Sequence, residues 1–225
     1  MTAWMTRFPW LPFVAPFAAF MVLLGLVPPL GLPPIVEGLI RVAVPALVIL
    51  LASMPALDLK PTRPLATIAI GALVFVLWIL PDQLIPGYRD SILFQNGLTG
   101  RVESTMAVEA RSDLIVVGLR FFRAALIVPV VEELFWRGWL PRWIDRMDDF
   151  QARPIGAFTG FSFVAASVLF GLEHGAFWDV GIVAGVIYNW WMMRTKSLGD
   201  LIWCHAVTNA LLSGWVVGMG QWQYW

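Results

Sequence analysis

The sequence predicts an all-α fold: a polytopic transmembrane helical bundle of about seven spans (six to eight). Three observations carry that prediction. Of 225 residues, 59% are apolar and only 13% are charged, against about 45–50% and about 25% in a typical soluble domain. Apolar runs long enough to cross a bilayer, roughly 20 residues each, recur along the whole chain. Thirteen tryptophans are present, and tryptophan gathers where membrane meets water. The mean hydropathy of +0.76 excludes a soluble globular domain, and so few charges exclude a disordered chain. A net charge of zero supplies no basic field for nucleic acid. A single cysteine, Cys204, permits no intramolecular disulfide and no Cys-x-x-Cys zinc site.

The runs lie at 13–27, 35–54, 65–80, 114–140, 155–171, 180–193 and 198–218. The first follows Arg7 and resembles a secretory signal, but the many spans behind it argue for an uncleaved helix. Pro28-Pro29-Leu30-Gly31-Leu32-Pro33-Pro34 separates it from the second. Prolines inside several runs are compatible with a bundle, where neighbouring groups satisfy the freed carbonyls. None of the runs alternates as barrel strands do. The one long connection, 81–113, carries mixed charge and is expected to fold over one face of the bundle. Residues 1–225 read as a single membrane domain without internal repeats.

Charge bias orients the bundle. With the N-terminus cytoplasmic, the inner side carries Arg7, Lys60, Arg63, Arg142, Arg146, Arg153, Arg194 and Lys196, and the outer side only Arg89, Arg101 and Arg111. Eight against three favours that orientation.

Ionisable groups at membrane depth are costly and mark function by default. Here they are Glu132, Glu133 and Arg137 in the fourth run, His174 after the fifth, and His205 with Asn209 in the seventh, including both histidines of the chain. Glu133 and Arg137, at i and i+4, share a helix face and can pair. Arg137 is five residues from Glu132, about 140° around the helix, so Glu132 stays free. His205 and Asn209, again i and i+4, point the same way. A desolvated carboxylate can act as general base near neutral pH, and an imidazole with an amide can hold a developing oxyanion. With a water between Glu132 and His174, these are the parts of a peptide hydrolase without a covalent nucleophile. Mutual satisfaction of the groups as helix–helix glue is the bland reading. Zinc is the competing chemical one, weakened because no His-Glu-x-x-His pair shares a helix turn and Arg137 competes for Glu133.

Other features have quieter readings. Arg120 and Arg123 either snorkel to the outer interface or meet a substrate carboxylate. Glu173 reads as a solvated end group, and Trp222 and Trp225 as interfacial anchors. Tyr188 and Asn189 either lend hydrogen bonds to the site or, the reading preferred, act as helix–helix glue, and Gly181 with Gly185 read as a close helix approach. Cys204 points about 100° away from His205, which argues against a thiol nucleophile.

Three motifs in order carry a family resemblance. Glu132-Glu133-Leu134-Phe135-Trp136-Arg137 resembles the Glu-Glu-x-x-x-Arg motif of the CAAX-protease and bacteriocin-processing (CPBP, Abi) intramembrane proteases. Phe170-Gly171-Leu172-Glu173-His174 is similar to that family's Phe-x-x-x-His motif, and His205-Ala206-Val207-Thr208-Asn209 to its His-x-x-x-Asn motif. The family-like core covers 114–218. Val128 to Gly138, Phe170 to Gly175 and the terminal Gly-Gln-Trp-Gln-Tyr-Trp resemble more closely the exosortase-associated CAAX prenyl protease-related proteins. The resemblance implies a glutamic-type protease in which Glu132, helped by His174, activates water. His205 and Asn209 would stabilise the oxyanion, Glu133 and Arg137 would support the site, and Phe170 would pack it. It implies a membrane-associated protein or peptide substrate, no cofactor, and a bacterial inner membrane. The alternative is a non-proteolytic component, a proton-linked transporter or a scaffold of an envelope export system.

Overall fold

In the computed structural model, which describes residues 7–225, every one of the seven apolar runs is helical. They are α1 (Leu11–Leu30), α2 (Pro34–Ala56), α3 (Pro64–Leu84), α4 (Leu114–Asp145), α5 (Gly160–Leu172), α6 (Trp178–Thr195) and α7 (Leu198–Met219). The described residues contain no β-strand, only one isolated bridge between Asn96 and Gly100.

Five of the seven, α1–α4 and α7, are long and apolar enough to cross a membrane. The count of seven spans is therefore not reached. At 1.5 Å per residue the 13 residues of α5 cover about 20 Å of a hydrocarbon core about 30 Å thick. Helix α6 has 18 residues but carries Asp179, Tyr188, Asn189 and Arg194. Exposed Leu26, Leu39, Leu50, Leu51, Leu65 and Leu73 present hydrocarbon to the outside on α1–α3, as an integral membrane protein requires.

Local chemistry starts these helices. Prolines open α2 and α3 at their first positions, where the missing N–H costs nothing. Asp113 caps α4 by accepting from the amides of Ile115 and Val116, and Thr159 with Ser162 forms a capping box on α5. Ser197 caps α7 through the amide of Asp200.

Asp200 then ties one end of the bundle together. Its carboxylate accepts from Thr62 N and Oγ1, both at 2.7 Å, from Arg63 N at 3.0 Å and from Thr67 Oγ1 at 2.6 Å. At the opposite end the long connection folds over the bundle, as its length and charge suggest. Arg89 reaches Asp82 (2.9 Å), Asp179 (2.8 Å) and the carbonyl of Ala176 (2.7 Å), and its guanidinium lies 4.3 Å over Phe177. Tyr88 donates to Asp179 at 3.0 Å; burial first, and then that carboxylate, hold its phenol above the usual range.

Two close approaches set the helix spacing. A Cβ on Gly71 of α3 would strike the carbonyl oxygen of Cys204 on α7, and one on Gly171 of α5 would lie 2.6 Å from Ile182 N and 2.7 Å from Trp178 O. The second contact draws α5 and α6 into a tight hairpin, with Gly185 against Ser167. Phe13, Val74, Leu134, Phe170, Tyr188 and Leu201 then fill one continuous core.

Candidate active site

Helix α4 is not a regular α-helix. Arg123–Ile127 and Leu134–Trp139 are wound as π turns on either side of Val128–Glu133. Each π turn takes an extra residue into the helix, a device common at functional sites. Pro129, inside the intervening α segment, has no N–H to offer a helical bond. The outcome is that Glu132 and Glu133, adjacent in sequence, face different partners.

Glu133 is fully buried. Its Oε1 lies 3.1 Å from Arg137 Nη1 and accepts from His205 Nδ1 at 2.9 Å. Arg137 is equally enclosed: its Nε donates to Asn189 Oδ1 at 3.1 Å and its guanidinium lies 4.2 Å over the ring of Phe170. Asn189 in turn donates to Ser167 Oγ at 2.9 Å and to the carbonyl of Phe163 at 3.2 Å. These bonds link four helices around the buried ion pair, with Glu133 Oε2 and Arg137 Nη2 left without partners among the described residues. Asn189 as the partner of Arg137, and Ser167 as the support of Asn189, were not assigned from the sequence. The cue available was weak, an amide and a hydroxyl facing small residues on two apolar helices.

Glu132 is left outside this network. Its Oε2 has no hydrogen-bond partner among the described residues and stands 4.0 Å from His205 Nε2. It opens on a cavity of about 170 Å³ whose lining includes Glu132, His174, His205, Asn209, Phe170 and Tyr188. That volume is far more than one water needs. The structure thus gathers all four catalytic candidates around one space, on α4, on the α5–α6 turn and on α7. His174, on the turn that follows the short α5, reaches the same cavity as Glu132.

The imidazoles have assigned faces. His174 Nδ1 sits 2.7 Å from the carbonyl of Phe170; a carbonyl only accepts, so Nδ1 carries the proton and Nε2 of the neutral ring is an acceptor. Asn209 Nδ2 donates to the carbonyl of Ala124 at 2.9 Å, fixing the amide and leaving its second N–H. The Tyr188 hydroxyl donates to Thr208 Oγ1 at 2.7 Å, and Thr208 donates to the carbonyls of Gly71 and Cys204. The ring of Tyr188 lies 5.2 Å from that of His205.

Two quieter readings are corrected. Glu173 is not a solvated end group. Its Oε2 is buried without a partner among the described residues. Trp225 is not an exposed anchor either: it is buried and, with Tyr224, walls the cavity. Its backbone oxygen accepts from Thr105 N at 2.8 Å, and the Tyr224 hydroxyl donates to Asp82 at 2.8 Å.

A tetrahedral zinc asks for three or four convergent ligands. Glu133 is shared by Arg137 and His205, and among the described residues no group of three or more His, Cys, Asp or Glu side chains is arranged to hold a metal.

The fold and cavity define an integral membrane protein of apolar helices enclosing carboxylates, imidazoles and an amide. Residues 115–211 match the family model described as type II CAAX prenyl endopeptidase Rce1-like. The matched stretch, just under half of the chain, runs through α4 to α7 and carries every residue of the network around Glu133 and of the catalytic set. The match supports the CAAX-protease family and an enzyme of that type. No curated protein and no solved structure matches the chain.

Proposed function

We propose that this chain is a glutamic-type intramembrane endopeptidase acting on a membrane-associated protein or peptide. The observation that carries the reading is the unpartnered Glu132 carboxylate facing the cavity that His174, His205 and Asn209 also line. A water held between Glu132 and His174 Nε2 loses a proton to Glu132 as its oxygen bonds to the scissile carbonyl carbon. The oxyanion so formed is held by the free N–H of Asn209 and by His205 Nε2–H. That second donor requires His205 in its doubly protonated form, whose charge faces Glu133. Glu132 then passes its proton to the amide nitrogen as the C–N bond breaks. Arg137, Asn189 and Ser167 take no part in these transfers and hold Glu133, and through it His205, in place. Phe170 packs beneath the Arg137 guanidinium.

The exosortase-associated branch, proposed on the Val128–Gly138 and 220–225 stretches, makes a sorted bacterial membrane protein a better substrate candidate than a prenylated one. The eight-to-three bias of basic residues supports a cytoplasmic Arg7 end and a bacterial inner membrane.

The test compares purified wild type with Glu132→Gln on membrane-protein candidates from the same cells, reading new termini by mass spectrometry. A terminus that depends on Glu132 is the expected result. None, with both proteins folded, overturns the protease and moves the Glu–His set to a proton relay.

A further inference from the structure

A second cavity, also about 170 Å³, lies between α2 and α4 beneath the long connection. Its polar lining is Glu37, Arg41, Thr105, Arg120 and Arg123. Both helices begin at this end of the bundle, so at 1.5 Å per residue the three arginines stand about 9–14 Å in from the helix starts. Glu37 is the only carboxylate in the lining, and it is taken by Arg41, 2.7 Å from Nε. Arg120 donates to the Thr105 hydroxyl at 2.6 Å and stands 5.4 Å over the Trp225 ring. Arg123 has no carboxylate within ion-pair reach among the described residues. Three guanidiniums against one carboxylate leave two positive charges uncompensated at a depth where charge is costly.

The chemistry of a ligand follows from these walls. Guanidinium forks match the paired oxygens of phosphate and carboxylate alike, so the apolar surroundings decide between ligands. The helix faces beside the cavity expose Val36, Leu39, Ile115, Phe121 and Phe122, surfaces suited to acyl chains. A molecule with an anionic head and hydrocarbon tails satisfies both. A soluble anion would use only the first.

We propose that this cavity binds the phosphate of an anionic phospholipid, one lipid per chain, through Arg120 and Arg123 with Arg41 behind them. The site adjoins the catalytic cavity without belonging to it. Trp225 walls that cavity and carries Arg120 on its ring, and Ala124, next to Arg123, accepts the Asn209 bond. The proposal rests on the fold alone, so it stands or falls separately from proteolysis.

Native mass spectrometry of the full chain in detergent tests it, with phosphatidylglycerol and phosphatidylcholine of identical acyl chains as probes. One phosphatidylglycerol should be retained per chain, about tenfold more tightly than phosphatidylcholine. Arg123→Gln or Arg120→Gln should weaken phosphatidylglycerol binding about tenfold and phosphatidylcholine, whose choline already offsets its phosphate, by less, so that the selectivity between them falls. Equal retention of the two lipids, or undiminished selectivity in both variants, overturns the proposal. So does displacement by inorganic phosphate at matching affinity, which makes the site one for a free anion. Displacement by a short peptide with a free carboxylate, but not by its amide, assigns the cavity to a peptide and also overturns it. Should a variant not fold, the comparison of the two lipids on wild type decides.

Discussion

The two cavities flank the first half of α4 and are of the same size, yet their charges are handled in opposite ways. Beside the Glu132 cavity much of the charge is met within the protein: Glu133 meets Arg137 and His205, and Arg137 meets Asn189. Glu132 lines the open space with an oxygen that has no partner among the described residues. In the arginine cavity the cations outnumber their partner and wait for something from outside. A network met from within fixes geometry and an open one recruits a ligand. The same helix carries both, at Glu133 and at Arg123.

The largest effect expected is from removing the carboxylate that lines the catalytic cavity. Glu132→Gln should lower the cleavage rate by about 10³-fold or more while the thermal unfolding midpoint stays near wild type; retained turnover would reassign the base. Breaking the network around Glu133 should do a different kind of damage. Glu133→Ala leaves Arg137 buried without its counter-charge and should cost about 3–5 kcal/mol of stability along with activity. Thermal melts that match wild type would show that the pair is not structurally required.

Asn209→Ala sharpens the contrast from the oxyanion side. It should reduce kcat by about 10²–10³-fold with little change in KM, and a change confined to KM would assign Asn209 to substrate binding. Smaller still is the effect of crowding the α5–α6 hairpin. Gly171→Ala forces the Ile182 backbone away and should cost about 1–3 kcal/mol, with a drop in kcat because His174 follows three residues later; unaltered melting would mean the helices separate freely. Smallest of all, chelation should leave the rate unchanged, and loss with EDTA restored by zinc would bring the metal reading back.

Much of this was legible before any coordinates. The seven helical runs follow from apolar run length, and the Glu133–Arg137 geometry follows from i, i+4 spacing on a helix. What spacing could not reveal was where helices stop. Glu173 reads as solvated because it closes an apolar run, and only the packing around the end of the short α5 buries its Oε2. The count of about seven spans is not confirmed for a related reason: the apolar run 155–171 reads as a crossing, while its helix covers only 13 residues. Asn189 and Ser167 illustrate a further limit, since a partner across 52 residues leaves no local trace. Trp225 belongs with them. A tryptophan near a terminus reads as an interface anchor, and its burial depends on the Thr105 backbone and Arg120, both far away in sequence.

The two π turns of α4 have a consequence for how this chain can vary. Each holds a residue that a regular helix would not accommodate, so deleting one residue inside a π turn lets it relax into ordinary winding with the helix beyond it still in register. A deletion in the regular stretch between them, 128–133, has no such slack and would turn everything beyond it by about 100°. Glu132 and Glu133 would then exchange outlooks with their neighbours while composition, hydropathy and helix content stayed almost the same. Length in this stretch is therefore under tighter constraint than the identity of most of its side chains. Single-residue gaps here should be rarer among working homologues than substitutions.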